Sequence, residues 1–534
     1  MVKLNANVLA PALTCLVAVV CTSAIWIGAK MSKRNFQISN YVSKFICKFL
    51  LLKVDLFYRM HRLKAYYIGV KDNSGPTEIV HAQTTSSPIA LTSQSPQVPC
   101  NGACEFHLVE SIPANLTYET PSTFMSTTDS WKRLIANATT QIRIASYYWS
   151  LLPETSGGYF DDTSRDGIEI YTALTDAAKR GIAIEITQNA EANNETDILA
   201  SNGWAKVRSL NFTRFLGSGI MHTKAWLVDS KHFYIGSANI DWRALTQVKE
   251  LGIAVFNCPC LANDVSKLFD VYWQMGAPNK ELPSSWPADL STTYNSNNPM
   301  DVTLNSEHSA VYFSSAPPEF CPLGRENDID AILRVINTAR EFIHISVMDY
   351  IPALLYSTNN PYWPVIDDAL RSAAYNHIHV KLMMSRWTNT RKQLYAFLHS
   401  LANINVSLPC TYVFNPSTGG KQCLKNSTGS IEVRIFEVPA FGNQSQIPYS
   451  RVNHNKYMVT DNSAYIGTSN WSGDYFISTA GLGVVIQSDN TMQVSKIVTD
   501  LNEKIFMRDW NSQYATPIDN FSLTGTPIQP TVAF

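Results

Sequence analysis

Two stretches of this chain are near copies of one another, and both are polar islands in apolar surroundings. The first is His222-Thr-Lys-Ala-Trp-Leu-Val-Asp229, followed by Gly236-Ser-Ala-Asn239; the second is His454-Asn-Lys-Tyr-Met-Val-Thr-Asp461, followed by Gly467-Thr-Ser-Asn470. Each keeps His, Lys, Asp and Asn at matched positions, and burying such groups is costly unless they are partnered. A fold has little reason to bear that cost twice for packing alone.

Laid over itself on this repeat, the chain resolves into two similar halves. Each opens with an amphipathic helix, at residues 130–139 and 327–340, the second with Ile329, Ile332, Leu333 and Ile336 at helical spacing. A strand (141–146; 342–347), a helix (168–180; 365–375) and two strands (182–186 and 204–210; 378–382 and 431–436) follow. The polar motif lies on a strand joined by a turn to its neighbour (224–228 with 233–235; 456–459 with 464–466). A last strand and helix close each unit (252–256 and 261–273; 481–486 and 492–506). This alternation predicts an α/β fold of two similar lobes, each a largely parallel mixed sheet flanked by helices.

Length agrees, since 534 residues exceed one ordinary core. The expected division is 1–30 for a tail and signal-anchor helix, 31–99 for a juxtamembrane segment and Ser/Thr/Pro-rich stalk, 100–295 for the first lobe and 296–534 for the second. Residues two apart on a strand share a face, so His222 projects with Lys224 and His454 with Lys456. Lobes packed face to face bring both pairs to one pocket.

Such a pocket suits a phosphodiester. One neutral imidazole attacks phosphorus while a protonated one delivers a proton to the leaving oxygen. Two lysines, with the amides of Asn239 and Asn470 and nearby hydroxyls, hold the non-bridging oxygens as charge grows. No metal and no cofactor are required, and there is no carboxylate cluster to bind a metal. Asp229 and Asp461 orient structure behind the motifs. Trp149, Trp242 and Trp471 lie near the motifs and offer faces on which a terminal base could stack, with core packing the competing reading.

The flanking chain bears on location. Residues 8–28 are apolar and uncharged, long enough to span a membrane, although the lysines and arginine after them favour a cytosolic downstream side. Asn-x-Ser/Thr acceptors at Asn115, Asn137, Asn194, Asn211, Asn405, Asn426, Asn443 and Asn520 favour a glycosylating lumen instead. Cysteine usage agrees: two bridges between the pairs Cys100/Cys104 and Cys258/Cys260 are expected, and a local one between Cys410 and Cys423, with Cys321 left over. Lumenal topology is preferred on these grounds. With 42 basic and 43 acidic residues, a broad basic surface for long nucleic acid is excluded, though a pocket for one strand end is not.

The HxKxxxxD stretches with their GSxN-like tails resemble the phospholipase D superfamily. Tyr147-Tyr-Trp-Ser-Leu151, Phe233-Tyr-Ile-Gly-Ser-Ala-Asn-Ile-Asp-Trp-Arg243, Leu245-Thr-Gln-Val-Lys-Glu-Leu-Gly252 and Tyr465-Ile-Gly-Thr-Ser-Asn-Trp-Ser-Gly473 are similar, more narrowly, to its membrane-anchored animal three and four group. The resemblance spans about residues 100–510. It implies two lobes sharing one active site, and a lysosomal single-pass type II membrane glycoprotein, reached through the endoplasmic reticulum, that acts as a 5′ exonuclease on single-stranded DNA and RNA through a phosphohistidine. It also implies catalytic roles for His222, Lys224, Asp229, Asn239, His454, Lys456, Asp461 and Asn470, with His222 the nucleophile and His454 the general acid. Ser237, Ser469 and Trp242 are expected as supporting contacts to phosphate or substrate. The expected partners are a strand 5′ end or a phospholipid, the membrane through the N-terminal helix, and a second copy in a homodimer. Lipid hydrolysis or transphosphatidylation, and a non-catalytic glycoprotein, are the alternatives. Asn470-Trp-Ser472 is formally a glycan acceptor and is expected to stay unmodified.

Overall fold

The computed structural model describes residue 100 and residues 102–153, 161–424, 427–488 and 495–528. The expected signal-anchor, the stalk and Asn426 lie outside these residues. Among the described residues no helix is long and apolar enough to cross a membrane. Leu91–Phe534 form one compact unit.

The two halves build the same sheet. In the first, β1 (Ala103–Ser111), β2 (Gln141–Ala145), β3 (Ala183–Asn189), β4 (Lys206–Leu210), β5 (Ala225–Val228), β6 (His232–Gly236) and β7 (Glu250–Phe256) pair in the order β1-β7-β6-β5-β2-β3-β4. In the second, β8 (Glu307–Ala316), β9 (Phe342–Val347), β10 (His379–Arg386), β11 (Ser430–Glu437), β12 (Lys456–Thr460), β13 (Ser463–Gly467) and β14 (Gly481–Ser488) pair as β8-β14-β13-β12-β9-β10-β11. A parallel contact of β1 with the strand Met300–Leu304 joins the two sheets.

One expectation needs correction. Only β2-β3-β4 and β9-β10-β11 run parallel; the other neighbours in each order are antiparallel. The sheets are therefore mixed rather than largely parallel. Helices cross over between the parallel strands, whereas tight turns join β5 to β6 and β12 to β13, and a tight turn reverses direction.

Strand alternation sets the layers. On β6, Phe233 and Ile235 face the central core while Tyr234 faces the outer one; on β13, Ala464 and Ile466 face the centre while Tyr465 faces outward. Phe233 meets Phe313 of the other half with ring centroids 5.8 Å apart. The outer faces are covered by the helices Thr127–Asn137 and Arg165–Lys179 in the first half, and by Asp328–Thr338 and Val365–Tyr375 in the second. The last helix, expected at 492–506, is described from Lys496 and widens to a π-helix over Leu501–Phe506.

Cys100 is bridged to Cys260 and Cys104 to Cys258, fastening the start of β1 to the helix Pro259–Met275 that follows β7. Cys410 and Cys423 are bridged across a hairpin. Cys321 is a free thiol whose pKa burial raises to about 12. The acceptors Asn115, Asn194, Asn211, Asn405 and Asn443 are exposed and Asn137 and Asn520 partly so, while Asn470 is buried.

Candidate active site

Both histidines lie just before a central strand and are anchored by the opposite half. The His222 N–H donates to the Ala480 carbonyl at 3.0 Å, and the His454 N–H donates to the Lys249 carbonyl at 2.8 Å. The peptides return the contact: Ala480 N–H donates to Ile220 and Lys249 N–H to Val452, each at 2.9 Å. The repeat has thus become a pseudo-twofold clasp in which the residues just before β7 and β14 each present one carbonyl to the other half's histidine.

The ring contacts break that symmetry. His222 Nδ1 is 2.9 Å from the Thr468 carbonyl oxygen, which can only accept, so Nδ1 carries the hydrogen and Nε2 a lone pair. His454 Nδ1 instead meets the Glu250 carboxylate at 2.9 Å. Glu250 is 1% exposed; the matching position in the second half is Gly481, where a Cβ would come 2.0 Å from Ser469 Oγ.

The lysines sit beneath the histidines. Lys224 Nζ donates to the His222 carbonyl at 2.6 Å and Lys456 Nζ to the His454 carbonyl at 2.7 Å. Burial pulls both ammonium pKa values down, Lys456 to about 7, and each is felt by the same Glu250. Burial, then Lys224, Lys456 and His454, hold the His222 pKa well below the ordinary imidazole value. Burial also lowers that of His454, with Glu250 opposing it. These mutual influences place both histidines and both lysines in one desolvated cationic pocket. Desolvation without an anion is costly, so the pocket favours a negatively charged occupant.

The Asn239 amide Nδ2 lies 3.5 Å from the Tyr148 hydroxyl and that of Asn470 lies 3.0 Å from Tyr475. Each amide keeps a second N–H. Tyr147 and Tyr475 flank the His222 ring, with centroids 5.5 and 5.0 Å away.

Several expected contacts lie elsewhere. Asp229 and Asp461 close the motif strands at the end away from the pocket, roughly 16 Å from the lysines at ordinary strand rise. Asp229 accepts from the backbone and hydroxyls of Thr139 and Thr140 and from the Gln141 N–H, and Asp461 accepts from the Arg340 and Glu341 N–H groups. They pin the entry of β2 and β9, which is structural work rather than catalysis. Ser237 is absorbed in a reciprocal bond pair with Leu251, and Ser469 turns its hydroxyl to Asp328 at 3.3 Å. Trp242 is 0% exposed and packs so closely on the helix Arg165–Lys179 that a Cβ on Gly167 would lie 2.5 Å from its own. Trp149 and Trp471 are likewise core residues. An indole filling the core has no face left for a base.

Sequence reasoning missed Glu250 and the tyrosines. The Glu250/Gly481 mismatch between otherwise matched Leu-Gly pairs at 251–252 and 482–483 is the available signal for the first. Tyr147 and Tyr148 stand in a stretch already noticed, but nothing in their spacing assigns them to the pocket.

A family described as PLD3/4, PLD-like domain matches residues 119–414, and one described as cardiolipin synthase, PLD-like domain matches residues 332–510. The chain is 43% identical over 446 residues to the 5′-3′ exonuclease PLD3 of Xenopus laevis, covering 81% of this chain and 86% of that one. It is 40% identical over 428 residues to the 5′-3′ exonuclease PLD3 of Homo sapiens, covering 79% and 82%. It is also 40% identical over 428 residues to the 5′-3′ exonuclease PLD4 of Mus musculus, covering 78% and 80%.

Proposed function

The chain belongs to the PLD3/4 family of phospholipase D-like proteins, and from that premise we propose that it is a phosphodiesterase acting as a 5′-to-3′ exonuclease on single-stranded DNA and RNA through a phosphohistidine. The observation that carries the reading is the unequal pair: His222 set by a carbonyl to offer a lone pair, His454 set by a carboxylate to hold a proton.

The steps follow from that inequality. His222 Nε2 attacks phosphorus, forming a P–N bond as the P–O bond to the leaving oxygen breaks, and His454 gives that oxygen its proton. Glu250 stabilises the imidazolium before transfer and holds the ring afterwards. Neutral His454 then takes a proton from water, whose oxygen attacks phosphorus and releases His222. Lys224, Lys456 and the amides of Asn239 and Asn470 hold the non-bridging oxygens throughout. Asn239 and Asn470 donate through the N–H that their tyrosines leave unused.

The same reading carries a lumenal, glycosylated chain anchored by its N-terminal helix, working as a homodimer in the lysosome. The three disulfides support an oxidising compartment on the way there, and an acidic lumen favours the charged forms of His454 and the lysines. The match of residues 332–510 to the cardiolipin synthase domain supports a lipid substrate as the second reading.

The test uses the full-length protein in detergent at pH 5, with 5′-labelled single-stranded DNA and, separately, phosphatidylglycerol. Shortening of the DNA from its 5′ end is expected, abolished in His222→Ala and His454→Ala and insensitive to a chelator. Lipid turnover with intact DNA would sink the nuclease reading. Loss of activity in a chelator would sink the metal-free mechanism.

A further inference from the structure

Beside the catalytic pocket, in the second half, lies a groove of about 730 Å³. Its walls come from the segment after β10, which contributes Trp387 and Lys392, and from the segment leading into the second motif, which contributes Tyr449 and Arg451. Both segments also reach the mouth of the catalytic pocket. Arg391, next to Lys392, lies 5.4 Å from the ring of Tyr356, which in turn is 6.4 Å from Tyr475 beside His222. The Tyr449 ring lies 5.9 Å from the guanidinium of Arg243, which binds Asp241, and Asp241 accepts from the Tyr148 hydroxyl beside the Asn239 amide. Both walls of the groove are therefore linked to residues of the site by short chains of side-chain contacts.

Its chemistry is selective. Tyr449 and Tyr356 are 67% and 59% exposed, unlike the buried tryptophans near the motifs. A large aromatic face left in water at the rim of an active site is a platform for another flat ring. The groove also carries surplus positive charge. Arg386 is neutralised by Glu437, but Arg451, 7% exposed, spends its guanidinium on the neutral oxygens of Pro439, Ala114 and Gln247. Burial brings its pKa down to about 10, so it remains cationic. Lys392 adds a second charge. Cationic walls with an exposed aromatic post fit a phosphate backbone with bases.

We propose that this groove receives the strand beyond the leaving nucleotide, with Tyr449 stacking its third base and Lys392 and Arg451 attracting the phosphates that follow. The proposal rests on the nuclease reading and sharpens it: the preferred substrate is a strand several nucleotides long, and a dinucleotide uses only the catalytic pocket. Tyr449 and Lys392 are positioning residues that touch the strand away from the reacting atoms.

The experiment compares wild-type full-length protein with Tyr449→Ala, Tyr449→Phe and Lys392→Ala on a dinucleotide, a hexanucleotide, a hexanucleotide abasic at its third position, and bis(p-nitrophenyl) phosphate. Wild-type kcat/KM is expected to rise from the dinucleotide to the hexanucleotide and to fall on the abasic strand. Tyr449→Ala is expected to lose about tenfold on the hexanucleotide, mainly through KM. It should match wild type within about twofold on the dinucleotide and on bis(p-nitrophenyl) phosphate, and Tyr449→Phe should restore the hexanucleotide rate. Lys392→Ala should flatten the salt dependence of KM on the hexanucleotide. Equal losses on short and long substrates, or an unchanged hexanucleotide in Tyr449→Ala, would overturn the groove assignment while leaving the nuclease reading intact. Wild-type protein that cuts no oligonucleotide overturns that reading, and the groove assignment with it.

Discussion

Glu250 of the first half meets His454 Nδ1 of the second at 2.9 Å, while Thr468 of the second half meets His222 Nδ1 with a neutral carbonyl. The two histidines of a repeated motif are thereby given different electrostatic surroundings. In Glu250→Gln the hydrogen bond can persist but the charge cannot. The variant is expected to lose on the order of 10²-fold in kcat, and its alkaline limb should move to lower pH, because the negative charge that favours imidazolium is gone. A pH–rate profile on a chromogenic diester measures both; an unmoved limb would show that Glu250 acts only sterically.

A second expectation concerns the shape of the wild-type profile. kcat/KM reports groups in the free enzyme. His454 must be protonated and its pKa is lowered by burial, so the first decline falls below the ordinary imidazole value. Lys456 loses its charge as pH rises through about 7, so the decline steepens there. Lys456→Arg should remove the steepening and leave the first limb, since a guanidinium stays charged across this range. A profile that steepens identically in the variant would exonerate Lys456.

The same depressed pKa has a consequence for stability. The Lys456 ammonium titrates near 7 when folded against an ordinary 10.5. A base depressed in the folded state contributes stability that is present above 10.5 and lost as pH falls to about 7. Below that window the empty pocket holds a poorly compensated cation. Lys456→Met is accordingly expected to be inactive and yet more stable than wild type at pH 6, by about 1–3 kcal/mol. Denaturant melts at pH 6 and pH 10 measure the difference, which should shrink at the higher value. Inorganic phosphate should raise the wild-type Tm at pH 6 and leave the variant's nearly unchanged.

Asp229 should behave in the opposite way. Its carboxylate is taken up by Thr139, Thr140 and Gln141 at the far end of β5. Asp229→Ala is expected to cost about 2 kcal/mol of stability and to leave kcat within about twofold once the protein is folded. A catalytic aspartate would reverse those two readouts, and equilibrium unfolding beside a rate assay separates them.

The contrast between these residues explains what could be read from the chain. His222, Lys224 and their counterparts are legible because the repeat duplicates them, and the elements around them are legible because periodicity is local. Glu250 is not: it lies 204 positions from His454, and a buried acid opening a strand carries no local mark of its partner. The tryptophans mislead for a related reason. Trp242 and Trp471 stand beside motif residues in the chain, but Trp242 opens a short helix packed against the helix Arg165–Lys179, and Trp471 fills the outer core of the second half. The mixed pairing is only partly legible: β1 and β8 precede the repeated pattern and add one antiparallel edge to each sheet, and the antiparallel pairing of β5 with β2 and of β12 with β9 joins strands far apart in the chain.

The clasp between Ala480 and His222, and between Lys249 and His454, also constrains ancestry. Two identical lobes associating as separate molecules would obey a true dyad, so both imidazoles would inherit identical neighbours and the choice of nucleophile would be a coin toss at every turnover. Joining the copies in one polypeptide removes that obligation. The acid at 250 and the glycine at 481 are a division of labour open only to a covalently fused pair, and truncating either half would return the remaining one to indecision.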